Sequence, residues 1–562
     1  MSIKINNIIL NIDENIELLK EKVSKKININ KENFESFKIL KESIDARKKD
    51  NIKFNYAVEV SIKDEKKLIK KLHDNNVKYE ENIEEEEIKF GEQKLNDRPI
   101  VVGMGPAGLF TALLLAEKGY SPLVLERGES VENRTKTIEK FWESGQLNQE
   151  SNVQFGEGGA GTFSDGKLTT RIKDTRCDFV INELIKHGAP EEISYMGKPH
   201  IGTDILKTVV KNIRHRIIEL GGEIKFNSKL EDIIVNKGSV EAVVVNGEKI
   251  FCNALILAIG HSSRDTYEMM HKNKILMEAK PFAIGVRIEH HQQMINESQY
   301  GRYANHPRLK AADYRLTYTS KKTGRGIYSF CMCPGGEVVA AASEEMSLVT
   351  NGMSYYNRDK ENANSALVVT VTPKDFENEC YKFNMQDNGN DYPLIGMEMQ
   401  RYYEKLAYKV GGGNYIAPVQ LVRDFLNDNK STALGNVNPS YKPGYTFSNM
   451  AECLPNYVIS SLKEGILDFN NKIKGFSKDE AILTGIETRT SAPVKILRNE
   501  NLESLSASGL YPCGEGAGFA GGIISAAVDG IKVAESVMKK YKPLNWIFWK
   551  RVFKTIFLVK CN

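Results

Sequence analysis

The chain of 562 residues lacks the long apolar runs that would carry it across a membrane. No uninterrupted apolar stretch approaches the roughly 18 to 20 residues of a spanning helix. The opening residues meet Asp13 and Glu14 before a signal-peptide core can develop, so no export is expected. Cysteine is sparse: Cys177, Cys252, Cys331, Cys333, Cys380, Cys453, Cys513 and Cys561 have neither the density of a disulfide framework nor the spacing of a paired zinc motif. An excess of one charge is missing too, because 77 Lys and Arg face 73 Asp and Glu for a formal net charge of +4, which implies no strong long-range attraction to nucleic acid. A globular protein of the reducing cytoplasm is expected. Its length and 41% hydrophobic content allow roughly three or four domain-sized units.

What the chain does have is glycine at telling places. Ile100-Val101-Val102 runs into Gly103-Met104-Gly105-Pro106-Ala107-Gly108 and then into the Ala/Leu-rich segment after Leu109. In a strand, Gly-x-Gly-x-x-Gly turn and helix of this kind, Gly103 permits the tight turn, Gly105 lets backbone approach a pyrophosphate, and Gly108 lets helix pack on strand. A second apolar strand, Pro122-Leu123-Val124-Leu125, ends in Glu126 and Arg127, about twenty residues on, where a carboxylate accepts ribose hydroxyls. A dinucleotide site follows.

Two further glycine-rich passages join it. Phe155 to Leu168 carries Gly156, Gly158, Gly159 and Gly161 with Glu157, Thr162, Ser164, Asp165 and Lys167 interleaved, which brings backbone and polar groups close to a ligand. Near the C-terminus, Leu510-Tyr511-Pro512-Cys513 leads through Gly514, Glu515, Gly521 and Gly522 to a small-residue helix starting at Ile523, whose N-terminus can face an anion. Between them, Ala254 to Ile259 reads as a buried strand leaving the sheet at Gly260. His200 to Leu220 reads as a loop opening a helix, with Thr203 or Asp204 as the N-cap and Gly221-Gly222 as the stop. No second Gly-x-Gly-x-x-Gly follows a strand in mid-chain; Gly411-Gly412-Gly413 lacks both strand and helix.

The organisation expected is a small α+β domain over 1–95, with strands at Ile3 to Ile12 and Phe54 to Val60 and an acidic linker at Glu84 to Glu87. An α/β, Rossmann-like domain follows over 96–280, then an inserted β-rich substrate domain over 281–480 and a closing segment of the α/β domain over 481–540. The last stretch, 541–562, holds Trp546 and Trp549 among Lys and Arg without an acid, a mixture that could make weak contact with an anionic membrane surface. Arg47, Lys48 and Lys49 form a local basic patch whose charge is cancelled elsewhere in the first domain.

Together these segments resemble the FAD-binding fold of the glutathione-reductase-like flavoproteins, and within it a family of bacterial FAD-dependent dehydrogenases of the NAD(FAD)-utilising type. The most specific stretches are Ser151 to Leu168 and Cys331-Met332-Cys333-Pro334-Gly335-Gly336, with Asn351-Gly352-Met353-Ser354 and Asn362-Ala363-Asn364-Ser365 as further motifs. The resemblance covers nearly all of residues 1–540. It implies FAD as cofactor, with Gly103, Gly105, Pro106, Ala107 and Gly108 at the pyrophosphate and Glu126 and Arg127 at the adenosine ribose. Gly158, Gly159, Gly161, Thr162, Ser164 and Gly260 would add contacts, and Gly514, Glu515, Gly521, Gly522 and Ile523 would lie beside the ribityl chain and flavin. The family's usual Gly-Asp is here Gly514-Glu515, and its Ala-Thr-Gly is Ala258-Ile259-Gly260. The implied activity is an oxidoreductase moving hydride through flavin N5 with a small-molecule substrate, NAD(P)H visiting as a transient donor. A flavin-bearing, RNA-associated or partner-binding protein recruited by the first domain is the competing reading.

Catalytic residues are less legible. Cys331 and Cys333, one residue apart, would face the same side of a strand; they read as buried small residues or as a redox or metal pair, although two ligands do not fill a zinc shell. Arg325, Tyr328, Arg358, Asn362 and Asn364 could orient an anionic substrate. His200, His261, His290 and His291 could serve as a general acid or tether the flavin covalently, or they are ordinary hydrogen-bonded residues at element ends; no catalytic base is assigned.

Overall fold

Four three-residue strands, Ile100–Val102, Leu123–Leu125, Leu255–Leu257 and Leu510–Pro512, are buried at every position, as a parallel sheet covered on both faces requires. In the computed structural model, which describes residues 2–63, 74–80, 89–383 and 392–543, they form one parallel sheet with Glu223–Lys225. Its order is Leu510–Pro512, Leu255–Leu257, Ile100–Val102, Leu123–Leu125, Glu223–Lys225, and every pairing is parallel. The Glu84 to Glu87 run and the aromatic tail from residue 544 lie outside the described residues. Tyr541 and Lys542, expected in that tail, instead pair in parallel with Gln93 and Lys94.

Alternation along these strands sorts the core into two layers. Val101, Val124, Ile256 and Tyr511 pack with residues of the helices Pro106–Glu117, Thr203–Glu219 and Ile523–Lys540. Ile100, Val102, Leu123, Leu125, Leu255 and Leu257 pack instead against a three-stranded antiparallel sheet, residues 230–251. The two helices next to the glycine turns touch closely. A Cβ on Gly530 would lie 2.2 Å from the Ala107 carbonyl oxygen, and Thr111 Oγ1 donates to the Gly530 carbonyl at 2.9 Å.

The inserted segment builds a seven-stranded sheet in the order Thr317–Thr319, Gly326–Cys333, Asn362–Val371, Phe282–His291, Ile482–Glu487, Ala417–Leu421, Tyr445–Phe447, antiparallel except for its last pair. Ile482–Glu487 thus belongs to this sheet although it lies past residue 480. A buried ion cluster ties it to the parallel-sheet unit. Glu404, on the helix Ile395–Val410, accepts from Arg264 at 2.9 and 2.7 Å and from Arg489 at 3.1 and 2.9 Å, while Arg264 also reaches Glu344 at 2.5 Å.

The first residues form an antiparallel sheet in the order Ser36–Asp45, Lys53–Ser61, Ser2–Asn11, Val77–Glu80, with the helix Leu18–Ile27 against it. Arg308 docks this unit onto the insert: its guanidinium donates to the Ile12 carbonyl at 3.0 Å and lies 4.2 Å from the Phe54 ring centre.

Candidate functional site

The three glycine-rich passages meet around one cavity of about 600 Å³. Its walls include Gly103, Gly105, Pro106, Ala107, Glu126, Arg127, Gly159, Gly161, Ser164, Gly260, Glu515, Gly521, Gly522 and Ile523. Of the expected contacts, Gly108, Gly158, Thr162 and Gly514 do not line it, and each has a packing reason. A Cβ on Gly108 would fall 1.9 Å from the Gly103 carbonyl oxygen. Gly158 donates its N–H to the Met104 carbonyl at 2.8 Å. The Thr162 carbonyl receives Thr203 Oγ1 at 2.7 Å, and the Gly514 N–H is taken by Asp529 at 2.7 Å.

Two helices open onto this cavity without a side-chain cap. Gly105 is the N-cap of Pro106–Glu117, with Pro106 in the first turn, and Gly522 is the N-cap of Ile523–Lys540. Unpaired first-turn N–H groups and the helix dipole make such ends anion sites. Added side chains would occupy the cavity: a Cβ on Gly260 meets nothing within 4 Å, and one on Gly105 meets only the Gly159 Cα, at 3.7 Å. An extended, anionic ligand that presses against bare backbone fits this cradle. FAD, with a pyrophosphate between two polar arms, has that chemistry.

Glu126 is 4% exposed, and its carboxylate organises the entry. Oε2 accepts the Met104 N–H at 2.8 Å, while Oε1 accepts those of Gly128 at 2.9 Å and Gly156 at 3.0 Å. Oε2 keeps one lone pair for a further donor such as a hydroxyl. Arg127 is fixed by Asp265 at 2.9 Å through both terminal nitrogens and by Glu150 at 2.7 Å, and its guanidinium stacks 4.2 Å from the Phe155 ring centre. On the closing segment, burial pushes the Glu515 carboxyl up to about 7, with Lys280 and the Gly522 N–H opposing the shift.

The far wall comes from the insert: Tyr328, Phe330, Cys331, Asn351, Glu487 and Arg489. Beneath it sits Arg287, 0% exposed, which donates to Glu487 at 2.8 and 2.9 Å, Asn351 at 2.9 Å, Asn364 at 3.0 Å and the Cys331 carbonyl at 2.9 Å. Asp165 and Lys167 of the second glycine loop reach the same wall. Lys167 Nζ lies 3.0 Å from Asp165 and donates to the Met332 carbonyl. Burial alone would raise the Asp165 carboxyl, but Lys167, Arg358 and Ser354 hold it down at about 2.

Other sequence candidates have structural duties. Arg325 pairs with Asp375, at 2.8 Å through Nη1, Arg358 pairs with Asp165 at 2.9 Å, and Asn362 donates to Glu289 at 3.0 Å. Glu157 points away from the cavity, accepting from Val131 N and Arg214. The His200 ring meets the Tyr356 carbonyl at 2.9 Å and the His290 ring that of Phe476 at 2.8 Å, while His291 lies 3.4 Å from Glu361. His261 does line the cavity, beside Ser262 at 2.9 Å. Neither Thr203 nor Asp204 is the N-cap; Gly202 is, at φ 79°, which leaves Asp204 to accept the Tyr356 N–H. Arg47 of the basic patch is held by Asp45 at 2.8 and 2.6 Å. Arg287, Glu487 and Arg489 were not singled out from sequence.

Among the described residues no group of three or more His, Cys, Asp and Glu could hold a metal ion, and no helix is long and apolar enough to cross a membrane.

Residues 281–490 match the family described as "FAD-dependent protein, C-terminal domain-like", and residues 2–61 match "Domain of unknown function (DUF8436)". A protein of Clostridium beijerinckii, described as uncharacterized, is 61% identical over 541 residues, spanning 96% of this chain and 99% of its own length. Among solved structures, glycine oxidase from Geobacillus kaustophilus is 9% identical at a TM-score of 0.35, covering 79% of this chain and 95% of that one. L-Amino acid deaminase from Proteus myxofaciens, in complex with anthranilate, is 12% identical at 0.35, covering 81% and 93%.

Proposed function

The chain belongs to one family with the Clostridium beijerinckii protein, and we propose that it is an FAD-dependent oxidoreductase acting on a small molecule at the wall formed by Tyr328, Phe330, Cys331 and Asn351. The observation that carries this reading is the convergence of two uncapped helix N-termini, at Gly105 and Gly522, on one cavity bordered by Glu126. The match of the inserted sheet to a domain of FAD-dependent proteins supports it.

In this reading the N–H groups after Gly105 hold the pyrophosphate, and the free lone pair on Glu126 Oε2 accepts a ribose hydroxyl. The helix start at Gly522 would stabilise negative charge on the bound cofactor's ring by about 0.3–1 kcal/mol, more where buried. When bound, FAD supplies a two-electron redox centre. The chain's own part is to orient that centre toward the insert's wall and to keep bulk water out with Tyr328 and Phe330. Glu515, with its carboxyl near neutrality, can hold or release a proton at the cavity edge. NADH or NADPH is the proposed donor, visiting from solution, and the cytoplasm is the proposed location.

Purified protein reconstituted with FAD is expected to hold one equivalent with a flavin absorption band, and anaerobic NADH or NADPH is expected to bleach it. Failure to retain any flavin after reconstitution would overturn the proposal. Retention without bleaching by either nucleotide would remove the donor assignment alone.

A further inference from the structure

The cavity wall formed by the insert contains one thiol, and a second stands two residues further along the same strand. Cys331 is half-buried and lines the cavity; Cys333 is buried two residues on. Their strand does not run regularly, because its pairing with Asn362–Val371 breaks register between Phe330 and Cys333. At that break Cys331 has φ 42°, a left-handed conformation that a residue other than glycine seldom adopts. Two cations pin the distortion in place: Arg287 Nη1 on the Cys331 carbonyl at 2.9 Å, and Lys167 Nζ on the Met332 carbonyl.

From this geometry we infer that Cys331 and Cys333 are a redox-active thiol pair, Cys331 attacking and Cys333 resolving, which exchanges two electrons with a small disulfide admitted to the cavity.

The electrostatics divide the roles. The neighbouring Cys333 thiol, which donates to the Cys331 carbonyl at 3.3 Å, is the main cause that holds Cys331 below the usual thiol range; burial opposes it, and Arg287 and Lys167 add to the lowering against Asp165. Glu487 also faces Cys331 across Arg287. The same contact and burial push Cys333 well above its ordinary value. Cys331 is thereby biased toward the thiolate and Cys333 toward the thiol. By contrast, burial raises Cys252 and Cys453 to about 12, the state of inert core cysteines.

The step balances without a further reagent. The Cys331 thiolate attacks one sulfur of the small disulfide, forming a mixed disulfide and releasing one thiolate. The Cys333 thiol, giving up its proton to that leaving thiolate, then attacks the Cys331 sulfur and releases the second thiolate. Two protein thiols are oxidised to one Cys331–Cys333 disulfide and one disulfide is reduced to two thiols. The exchange itself draws no electrons from FAD. Only the reading that electrons continue between the pair and the cofactor rests on the function proposed above.

The test uses the full chain, flavin-loaded and flavin-free. Iodoacetamide labelling resolved by peptide mass spectrometry should give a Cys331 rate that changes less than about 2-fold between pH 8 and 6, while an ordinary thiol falls roughly 100-fold. With 5,5′-dithiobis(2-nitrobenzoate), wild type should release two equivalents from this pair and yield a peptide lighter by two hydrogens. Cys333→Ser should release one and stay as the mixed disulfide on Cys331. A Cys331 rate that falls with pH like that of an ordinary thiol overturns the inference, and so does oxidation that leaves the two sulfurs unlinked; both are read on the wild-type chain without relying on the variant's folding. A colourless protein with the flat pH profile would sink the cofactor reading and leave the thiol pair standing. A yellow protein with the ordinary profile would do the reverse.

Discussion

Glu126 Oε1 accepts the Gly156 N–H at 3.0 Å, so the carboxylate at the end of the second parallel strand anchors a loop thirty residues further along the chain. The first and second glycine passages are therefore one structure.

Replacing that carboxylate tests the linkage. Glu126→Ala leaves the N–H groups of Met104, Gly128 and Gly156 without their acceptor at a site 4% exposed. A loss of about 2–4 kcal/mol in urea unfolding is expected, together with at least a tenfold weaker FAD affinity in a fluorescence titration. Unchanged affinity would remove Glu126 from the cofactor site.

Gly108 can be probed by adding a single methyl. In Gly108→Ala the new Cβ would sit 1.9 Å from the Gly103 carbonyl oxygen and 3.3 Å from Ala258 Cβ. Backbone must move, and overpacking of this kind costs about 1–3 kcal/mol. Thermal melting should fall, and the Gly103–Gly105 turn should lose its grip on the cofactor along with it.

The ion cluster between the two large sheets predicts a sharp acid sensitivity. Burial opposes ionisation of Glu404, yet Arg264 and Arg489 hold its carboxyl well below the usual range. A depressed folded value means that the stability it contributes is present above about pH 4.5 and is lost as the pH falls. Glu404→Gln leaves two buried guanidinium groups short of charge and should destabilise by about 3–5 kcal/mol at pH 7. The gap between variant and wild type should narrow on acidification toward pH 3 in denaturant titrations.

Glu515 predicts the opposite slope. Its folded value, up at about 7, exceeds the ordinary 4.5, so the proton it holds favours the folded chain below pH 4.5 and that advantage is lost as the pH rises through 7. Against Glu515→Gln, flavin-free wild type should lose about 1–3 kcal/mol between pH 5 and 8. Parallel curves would show that the carboxyl is already ionised.

Much of the cofactor half of the site is legible in sequence because its physics is local. An apolar run of three or four residues, a glycine that cannot carry a Cβ and a small-residue helix are contiguous, so Gly103, Gly105 and Gly522 announce themselves. The insert's half is not local. Arg287, Glu487 and Arg489 acquire meaning only when strands two hundred residues apart align, and Arg264, Glu404 and Arg489 read as surface charges until the fold buries them. Ser36–Asp45 is missed for another reason: it is an edge strand with Lys38, Lys41 and Glu42, half-exposed on most positions, and no clean alternation marks it. His200 and His290 meet the carbonyls of Tyr356 and Phe476, which distant segments bring to them, so their partners are not legible from local sequence.

The placement of Leu510–Pro512 beside Leu255–Leu257 also sets a timetable for synthesis. A ribosome still extending the insert has delivered four of the five parallel strands, and Leu255–Leu257 waits with an unpaired edge. The floor from Glu515 to Ala526 arrives only after the insert. Whatever occupies the cavity can be gripped on all sides only once residues 515–526 have followed the insert out of the ribosome.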